Sequence, residues 1–491
     1  MREKRRFLDL EVRRFFGMSR VFRRIPSVHE LLDREPLKQL VDRANRTVVV
    51  GGVREFLGRL RDDVASAAVE IPSPTELAHR IADWIVHTEQ PRLRPVINGT
   101  GVLLHTGLGR APLAAQARKA MEKIGRGYAS VEIDLETGNR SQRLDAVDRV
   151  LRQLTDCESS AVFNNNAGAT LISLAAVASG KEVIVSRGQL VEIGGSFRLP
   201  EVMRQGGVLL REVGTTNKTR ISDYESSINN HTAALMAVHT SNYVVRGFTQ
   251  SVNISELVDL GQRHNLPVID DIGSGALWDF SRYGIADEPL VKSSLEAGTD
   301  LVLFSGDKLL GGPQCGIVVG NKKWIDKIRS HPLARALRID KTTLAALDAT
   351  LQLYLDPETV EQHIPLLQLL SVSQENLQHR AEHLAPQLAA CEIIDSAEPL
   401  EDQAFLGGGS VPTQSLPTVC VALAPARGSV ESLSKKLRTG SPPVMGRIKQ
   451  DRLLIDLRTV FADQDLQLIE AIKAAGSDRD TSESNPCDDI S

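Results

Sequence analysis

Short apolar runs, each closed by glycine, proline or a polar turn, alternate with helical stretches through the middle of the chain. The runs Ser160–Phe163, Glu182–Ser186, Val208–Val213, Leu235–His239, Pro267–Asp271, Asp300–Phe304 and Gly316–Val319 are rich in β-branched and aliphatic residues. Bounded in this way, they read as buried strands. Between them, Thr170–Ala178, Ile254–His264 and most of Val191–Arg204 read as helix. Strand and helix in alternation predict an α/β domain with a largely parallel sheet.

The pattern differs on either side. From Pro26 to about Val86 it is helical: Val49, Val53, Leu57, Leu60 and Val64 recur at steps of three and four, and Ser73-Pro74-Thr75-Glu76 opens a further helix. Leu113–Ile124 reads as helix, and Glu132–Arg143 is polar without periodicity. After Arg338 a long helical region runs to about Leu388, and Cys391–Ala474 has the pattern of a smaller α+β unit with strands Thr418–Leu423 and Leu453–Leu457. The expected divisions are therefore a basic extension (1–25), an all-α domain (26–90), a large α/β domain (91–340), a linker helix with a small α+β domain (341–475), and a Ser/Asp-rich disordered tail (476–491).

Composition narrows the function classes. With 491 residues and 42% hydrophobic content, the chain can bury several cores. A net charge of −4 excludes a protein basic throughout, so any nucleic-acid contact is local. No apolar run has the length of a membrane span. The five cysteines, Cys157, Cys315, Cys391, Cys420 and Cys487, form no CxxC pair, which argues against a disulfide framework or a metal site and fits a reducing cytoplasm. Residues 1–24 hold nine Lys/Arg against three acids but no signal-peptide apolar region, and Met18 is a candidate true start.

Candidate chemistry gathers at Leu301–Gly320, where a strand ends in Ser305-Gly306-Asp307-Lys308 and runs into the Gly311-Gly312-Pro313 turn. Alone, such a lysine reads as a surface residue. Upstream, Pro267–Asp271 ends in the carboxylates Asp270 and Asp271. An amine for a Schiff base, a carboxylate for a ring nitrogen and donors for a phosphate are what pyridoxal 5′-phosphate requires. Lys308, Asp271 and Ser305 supply one each, with Asp270 as the rival carboxylate. The turn Asn164-Asn165-Asn166-Ala167-Gly168 opens the helix Thr170–Ala178, where Asn166 and Ala167 suit a phosphate, or the asparagines serve only as caps. Asn242, after a strand, is a candidate partner for the ring oxygen or an ordinary turn residue. Arg110 ends a glycine-rich loop as a plausible anion clamp. Arg335 and Arg338, three apart on an expected helix, present two guanidiniums to one phosphoryl group. Arg54 and Arg61, seven apart beside an apolar helix face, suit backbone phosphates, or are solvated arginines among Glu55, Asp62 and Asp63.

The runs VINGTGVLLHTGLGRA, FNNNAGAT, EVGTTNKT, HTSNY, DDIGSGAL, FSGDKLLGGPQCGIVVG and HPLARALRIDK closely resemble bacterial selenocysteine synthases, L-seryl-tRNA(Sec) selenium transferases, over roughly Pro26–Ala474. The resemblance implies a pyridoxal-phosphate enzyme of aspartate-aminotransferase type (fold type I) with an amino-terminal helical domain that grips the selenocysteine tRNA. It implies Lys308 as the cofactor lysine with Asp307 beside it, and Arg110, Arg335 and Arg338 as anion-binding arginines. The implied reaction turns seryl-tRNA(Sec) into selenocysteinyl-tRNA(Sec) through an aminoacrylyl stage, with selenophosphate as donor, in a homo-oligomer, a decamer in bacterial relatives. A lyase acting on a small free amino acid or an amino sugar phosphate is the alternative. In other enzymes of this fold an arginine placed as Arg458 serves a free carboxylate. Gly107 stands where relatives often carry asparagine, and the segment before Met18 has no counterpart.

Overall fold

The computed structural model describes residues 24–43, 45–65, 71–88, 93–193, 197–240, 243–285, 288–407 and 415–477. It divides at Arg94/Pro95 into two units. The first holds helices α1 (Val28–Leu32), α2 (Glu35–Arg43), α3 (Arg46–Ala65) and α4 (Pro74–Thr88). Ser27 caps α1 through Glu30 N, and Ser73 caps α4 through Glu76 N. Val49, Val53, Leu57 and Leu60 of α3 lie buried against Leu77, Ile81 and Ile85 of α4, as the three- and four-residue spacing requires. The two helices pack closely at Gly52, where a Cβ would stand 2.5 Å from Ile85 Cγ1.

The second unit is built on a seven-stranded sheet. Its strands are β1 (Ser159–Phe163), β2 (Glu182–Ser186), β3 (Leu209–Val213), β4 (Thr232–Val238), β5 (Val268–Gly273), β6 (Leu301–Ser305) and β7 (Gly316–Gly320). The spatial order is β1-β7-β6-β5-β4-β2-β3. Only β7 runs against its neighbours; the other strands share one direction, and their carboxyl ends line one edge. Ala161, Phe163, Val183, Met236, Ile269 and Leu303 pack with helices on one face, and Val162, Ile272, Val302, Phe304 and Ile317 on the other.

A four-stranded antiparallel sheet follows, β8 (Ile394–Phe405), β9 (Ser415–Pro425), β10 (Arg447–Lys449) and β11 (Arg452–Asp456), in the order β8-β9-β11-β10. This part of the chain holds the segment that leads from residue 97 into the larger sheet, partly through a separate two-stranded pairing. Ile97–Asn98 pairs with Val444–Met445. Leu103 N donates to Phe405 O at 2.9 Å, and Leu104 N to Leu406 O at 2.7 Å. Arg447 donates to Thr100 O at 2.7 Å while paired with the buried Asp456 at 3.1 Å.

Several expected elements differ. Val191–Arg204 is a two-residue hairpin, Glu192–Ile193 with Phe197–Arg198, before a helix that starts at Leu199. The long strand β8 escaped the pattern because its residues alternate among exposed, half-buried and buried positions, with only Ile394 and Ala404 buried. The last helix, Asp465–Ser477, runs through Gly476 and Ser477, where a disordered tail was expected to begin; 478–491 lie outside the described residues, as do 1–23 of the basic extension. Arg335 and Arg338 do not share a helix. The helix Leu333–Ala336 stops short, and Arg338 instead forms an antiparallel bridge with Phe163.

The first residue of β7, Gly316, lies against the turn that follows β1, so a Cβ there would overlap the Asn165 carbonyl. Gly316→Ala is expected to destabilise the fold by about 1–3 kcal/mol and to shift that turn, which thermal unfolding measures.

Candidate active site

β6 ends at Ser305, and the chain turns at once. Gly306 N donates to Cys315 O at 2.9 Å, Gly312 N to Gly306 O at 2.8 Å, and Gly311 takes a φ of +68°. This turn sets Lys308 at the carboxyl edge of the sheet, only 4% exposed. Lys308 shares a cavity of about 260 Å³ with Arg110, Asn166, Ala167, His239, Asp271, Ser305 and Gln314. Burial pushes its amine below the ordinary lysine range, the Arg110 guanidinium adds to this, and Asp271, Asp307 and Glu288 oppose it.

Asp271, near the end of β5, accepts from Asn166 Nδ2 at 2.9 Å, Thr170 Oγ1 at 2.8 Å and Gly273 N at 3.2 Å. Burial pushes its carboxyl up; the Asn166 and Thr170 bonds and the Lys308 charge pull it back. The pleat turns Asp270 to the opposite face, where it accepts from Ser294 Oγ at 2.6 Å. Asp270 therefore does not line the Lys308 cavity.

The asparagines divide their work at the start of helix α5 (Asn166–Ala178). Asn164 N donates to Leu337 O at 3.0 Å, Asn165 Oδ1 caps Gly168 N at 2.7 Å, and Asn166 bonds Asp271. Capping and ligand-facing roles coexist here. The Asn166 and Ala167 amides fall among the orphan donors of the first turn. Asn166 Oδ1 is buried without a partner among the described residues.

Arg110 opens onto the same cavity and pairs with Asp307 at 2.8 Å. Its φ of +62° lies in the left-handed region, a conformation that costs a non-glycine residue energy and marks a position fixed by its surroundings. Arg335 and Arg338 line another cavity, of about 350 Å³, with Arg140, Arg143 and Arg329. Arg338 lies 3.5 Å from Glu132, which Arg140 and Arg143 also contact. Arg458 does not reach the Lys308 cavity. Its guanidinium is buried and donates to Pro417 O, Leu369 O and Val372 O. Arg54 and Arg61 are exposed on α3. Asn242 lies outside the described residues.

His239 and Gln314 line the cavity without having been singled out in the sequence, and Thr170 acts on it through Asp271. His239, directly after β4 on the crevice side, faces Glu288 at 3.8 Å, and Gln314 sits in the glycine turn without a local signature. Thr170 does have one, since it follows Asn166 by four residues and so shares its helix face. The thiols of Cys157, Cys315, Cys391 and Cys420 are all buried and unpaired by disulfide, and burial pushes each above its usual range.

A family model for L-seryl-tRNA selenium transferase matches residues 96–461. The chain belongs to that family. A second model, for the selenocysteine synthase amino terminus, matches residues 22–61. A protein named L-seryl-tRNA(Sec) selenium transferase from Alkaliphilus metalliredigens is 45% identical over 470 residues, 93% of this chain and 98% of that protein. One of the same name from Carboxydothermus hydrogenoformans is 45% identical, covering 91% and 96%. Among solved structures, D-glucosaminate-6-phosphate ammonia-lyase shares the fold, with a TM-score of 0.56 and 20% identity over 78% of this chain and 96% of that one.

Burial pushes Asp270 from 3.8 to about 6. A carboxyl with a raised folded pKa is fully accommodated below its unfolded pKa and costs stability as pH rises through the folded one. Asp270→Asn is therefore expected to leave the unfolding temperature close to wild type near pH 4 and to raise it relative to wild type near pH 8. Thermal scans at the two pH values check this.

Proposed function

We propose that this chain converts L-seryl-tRNA(Sec) to L-selenocysteinyl-tRNA(Sec) with selenophosphate as donor, and that pyridoxal 5′-phosphate resides in the Lys308 cavity. The observation that carries the reading is Lys308 itself, a buried amine of lowered pKa sharing one cavity with a hydrogen-bonded carboxylate and a helix start. The donor set fits the cofactor. Lys308 would hold it covalently, Asp271 its ring nitrogen, and Ser305 with the Asn166 and Ala167 amides its phosphate. When bound, it supplies an electron sink that makes the seryl Cα–H acidic.

The residues do the rest. Lys308, its ammonium form disfavoured by burial, would take the Cα proton and then, as ammonium, protonate the departing β-hydroxyl. Asn166 and Thr170 fix the Asp271 carboxyl in place and oppose the upward push of burial on it. Arg110, braced by Asp307, offers a guanidinium to the phosphoryl group of the selenium donor. Arg335 and Arg338 provide a second basic surface in their own cavity for the same class of anion. With Arg458 spent on main-chain carbonyls, it offers nothing to a free carboxylate, which suits a substrate whose carboxyl is esterified.

Residues 26–90 form the tRNA-gripping domain in this reading, with Arg54 and Arg61 meeting backbone phosphates. Residues 91–340 carry the cofactor site, and 341–475 the linker helix and small domain. The protein works in the cytoplasm as a homo-oligomer, a decamer. No described helix is long and apolar enough to cross a membrane. A second reading, a lyase on a small free amino acid or an amino sugar phosphate, draws on the shared fold of D-glucosaminate-6-phosphate ammonia-lyase; the amino-terminal match over 22–61 favours the transferase.

Turnover of seryl-tRNA(Sec) with selenophosphate, run beside free serine, decides between the two readings, with product expected from the tRNA ester alone. Borohydride reduction and peptide mapping are expected to mark Lys308, and Lys308→Ala is expected to lose at least about two orders of magnitude in rate. For Arg54→Ala or Arg61→Ala, the slope of log affinity for tRNA against log salt is expected to become shallower by roughly one unit; an unchanged slope removes that arginine from the interface.

A further inference from the structure

The Lys308 cavity adjoins a second one at the end of β4. Val238 and His239 also line a larger cavity of about 590 Å³, within the roughly 300–1,000 Å³ of small-molecule sites. Beside that shared end, the pleat of β5 turns Asp271 to the first and Asp270 and Ile272 to the second. Gln189, Asn217, Lys218, Asp270 and Ser293 make the second wall polar, and the chemistry described so far uses none of it.

An ester substrate imposes a distance constraint. A seryl group at Lys308 is one bond from the ribose of the tRNA's last nucleotide, so that nucleoside must lie in space contiguous with the Lys308 cavity. Among the described cavities, the larger one shares lining residues with it. Donors and acceptors stand on its wall for a ribose and the edges of a base. At its rim, Lys218 Nζ lies 5.7 Å from the centre of the Phe248 ring, and Asn217 Nδ2 donates to Phe248 O at 2.6 Å. The ring itself is 86% exposed. A cation beside an open aromatic face is the pair by which proteins hold single-stranded RNA, phosphate to the one and base to the other.

We propose that this second cavity binds the 3′-terminal nucleoside of the seryl-tRNA, with Lys218 meeting the adjoining phosphate and Phe248 stacking on the next base. The proposal rests on the selenium-transfer reading above and adds to it the place where the nucleic acid's end is held. It makes the ester, rather than the amino acid alone, the unit the enzyme recognises.

The test uses the holoenzyme and tRNA(Sec) carrying 2-aminopurine as its 3′-terminal base. Binding to wild type is expected to change the emission of that base. Ser293→Trp, which fills the cavity from the helix Val291–Glu296, is expected to abolish the change and raise KM for seryl-tRNA at least about tenfold, while the cofactor's visible absorption stays. Phe248→Ala is expected to raise KM several-fold. In a second measurement, independent of any variant, 3′-O-seryladenosine and serine methyl ester are titrated against the cofactor's absorption. The adenosine ester is expected to bind at least about tenfold more tightly. Equal affinity of the two esters, or unchanged emission with tRNA bound, overturns the assignment of the cavity while seryl-tRNA turnover stands. No turnover of seryl-tRNA by wild type overturns the functional reading as well.

Discussion

Burying an amine and a carboxylate in one small cavity is costly unless each is compensated, and the carboxyl edge of the sheet is arranged around that constraint. Lys308 is held in by the turn after β6, and Asp271 by two side-chain donors and a main-chain amide. The opposed charges moderate each other's desolvation, yet burial dominates on both: the amine falls and the carboxyl rises. A lysine in that condition is closer to a working base than any solvated one.

The arginine beside it depends on a distant part of the chain. Arg110 sits at the end of a segment pinned to the carboxyl-terminal part of the chain, first by a two-stranded pairing with Val444 and Met445, then by main-chain bonds to Phe405 and Leu406. Gly101, with φ at +76°, packs so tightly against Arg447 and Asp456 that no side chain fits. The small sheet therefore serves the site without entering it, holding the guanidinium where Asp307 meets it. That explains how a left-handed arginine is tolerated, because both ends of its loop are fixed elsewhere.

Most of the sheet was legible in the sequence because six of its seven strands, all but the edge strand β3, are largely buried and so read as apolar runs. Lys308 and Asp271 were legible for the same reason, since a charged residue closing such a run has few bland explanations. β8 was not, because a strand that is mostly exposed or half-buried has no apolar run to detect. The arginines mark the other limit. A spacing of three suggested one helix face for Arg335 and Arg338, but the helix ends at Ala336 and tertiary pairing with Phe163 takes over. Glu288 and Gln314 belong to irregular segments, where position comes from the assembled fold and leaves no local periodicity.

The four described cysteines have a chemical consequence for a protein of this family. A thiolate captures reactive chalcogen species, whereas a protonated thiol in an apolar setting does not. Cys315, below the Lys308 turn and next to Asp307, is fully buried, and its thiol is pushed far up. The Cys315 thiol is thus held in its unreactive protonated form beneath the proposed cofactor site, and no cysteine is among the described residues lining that cavity.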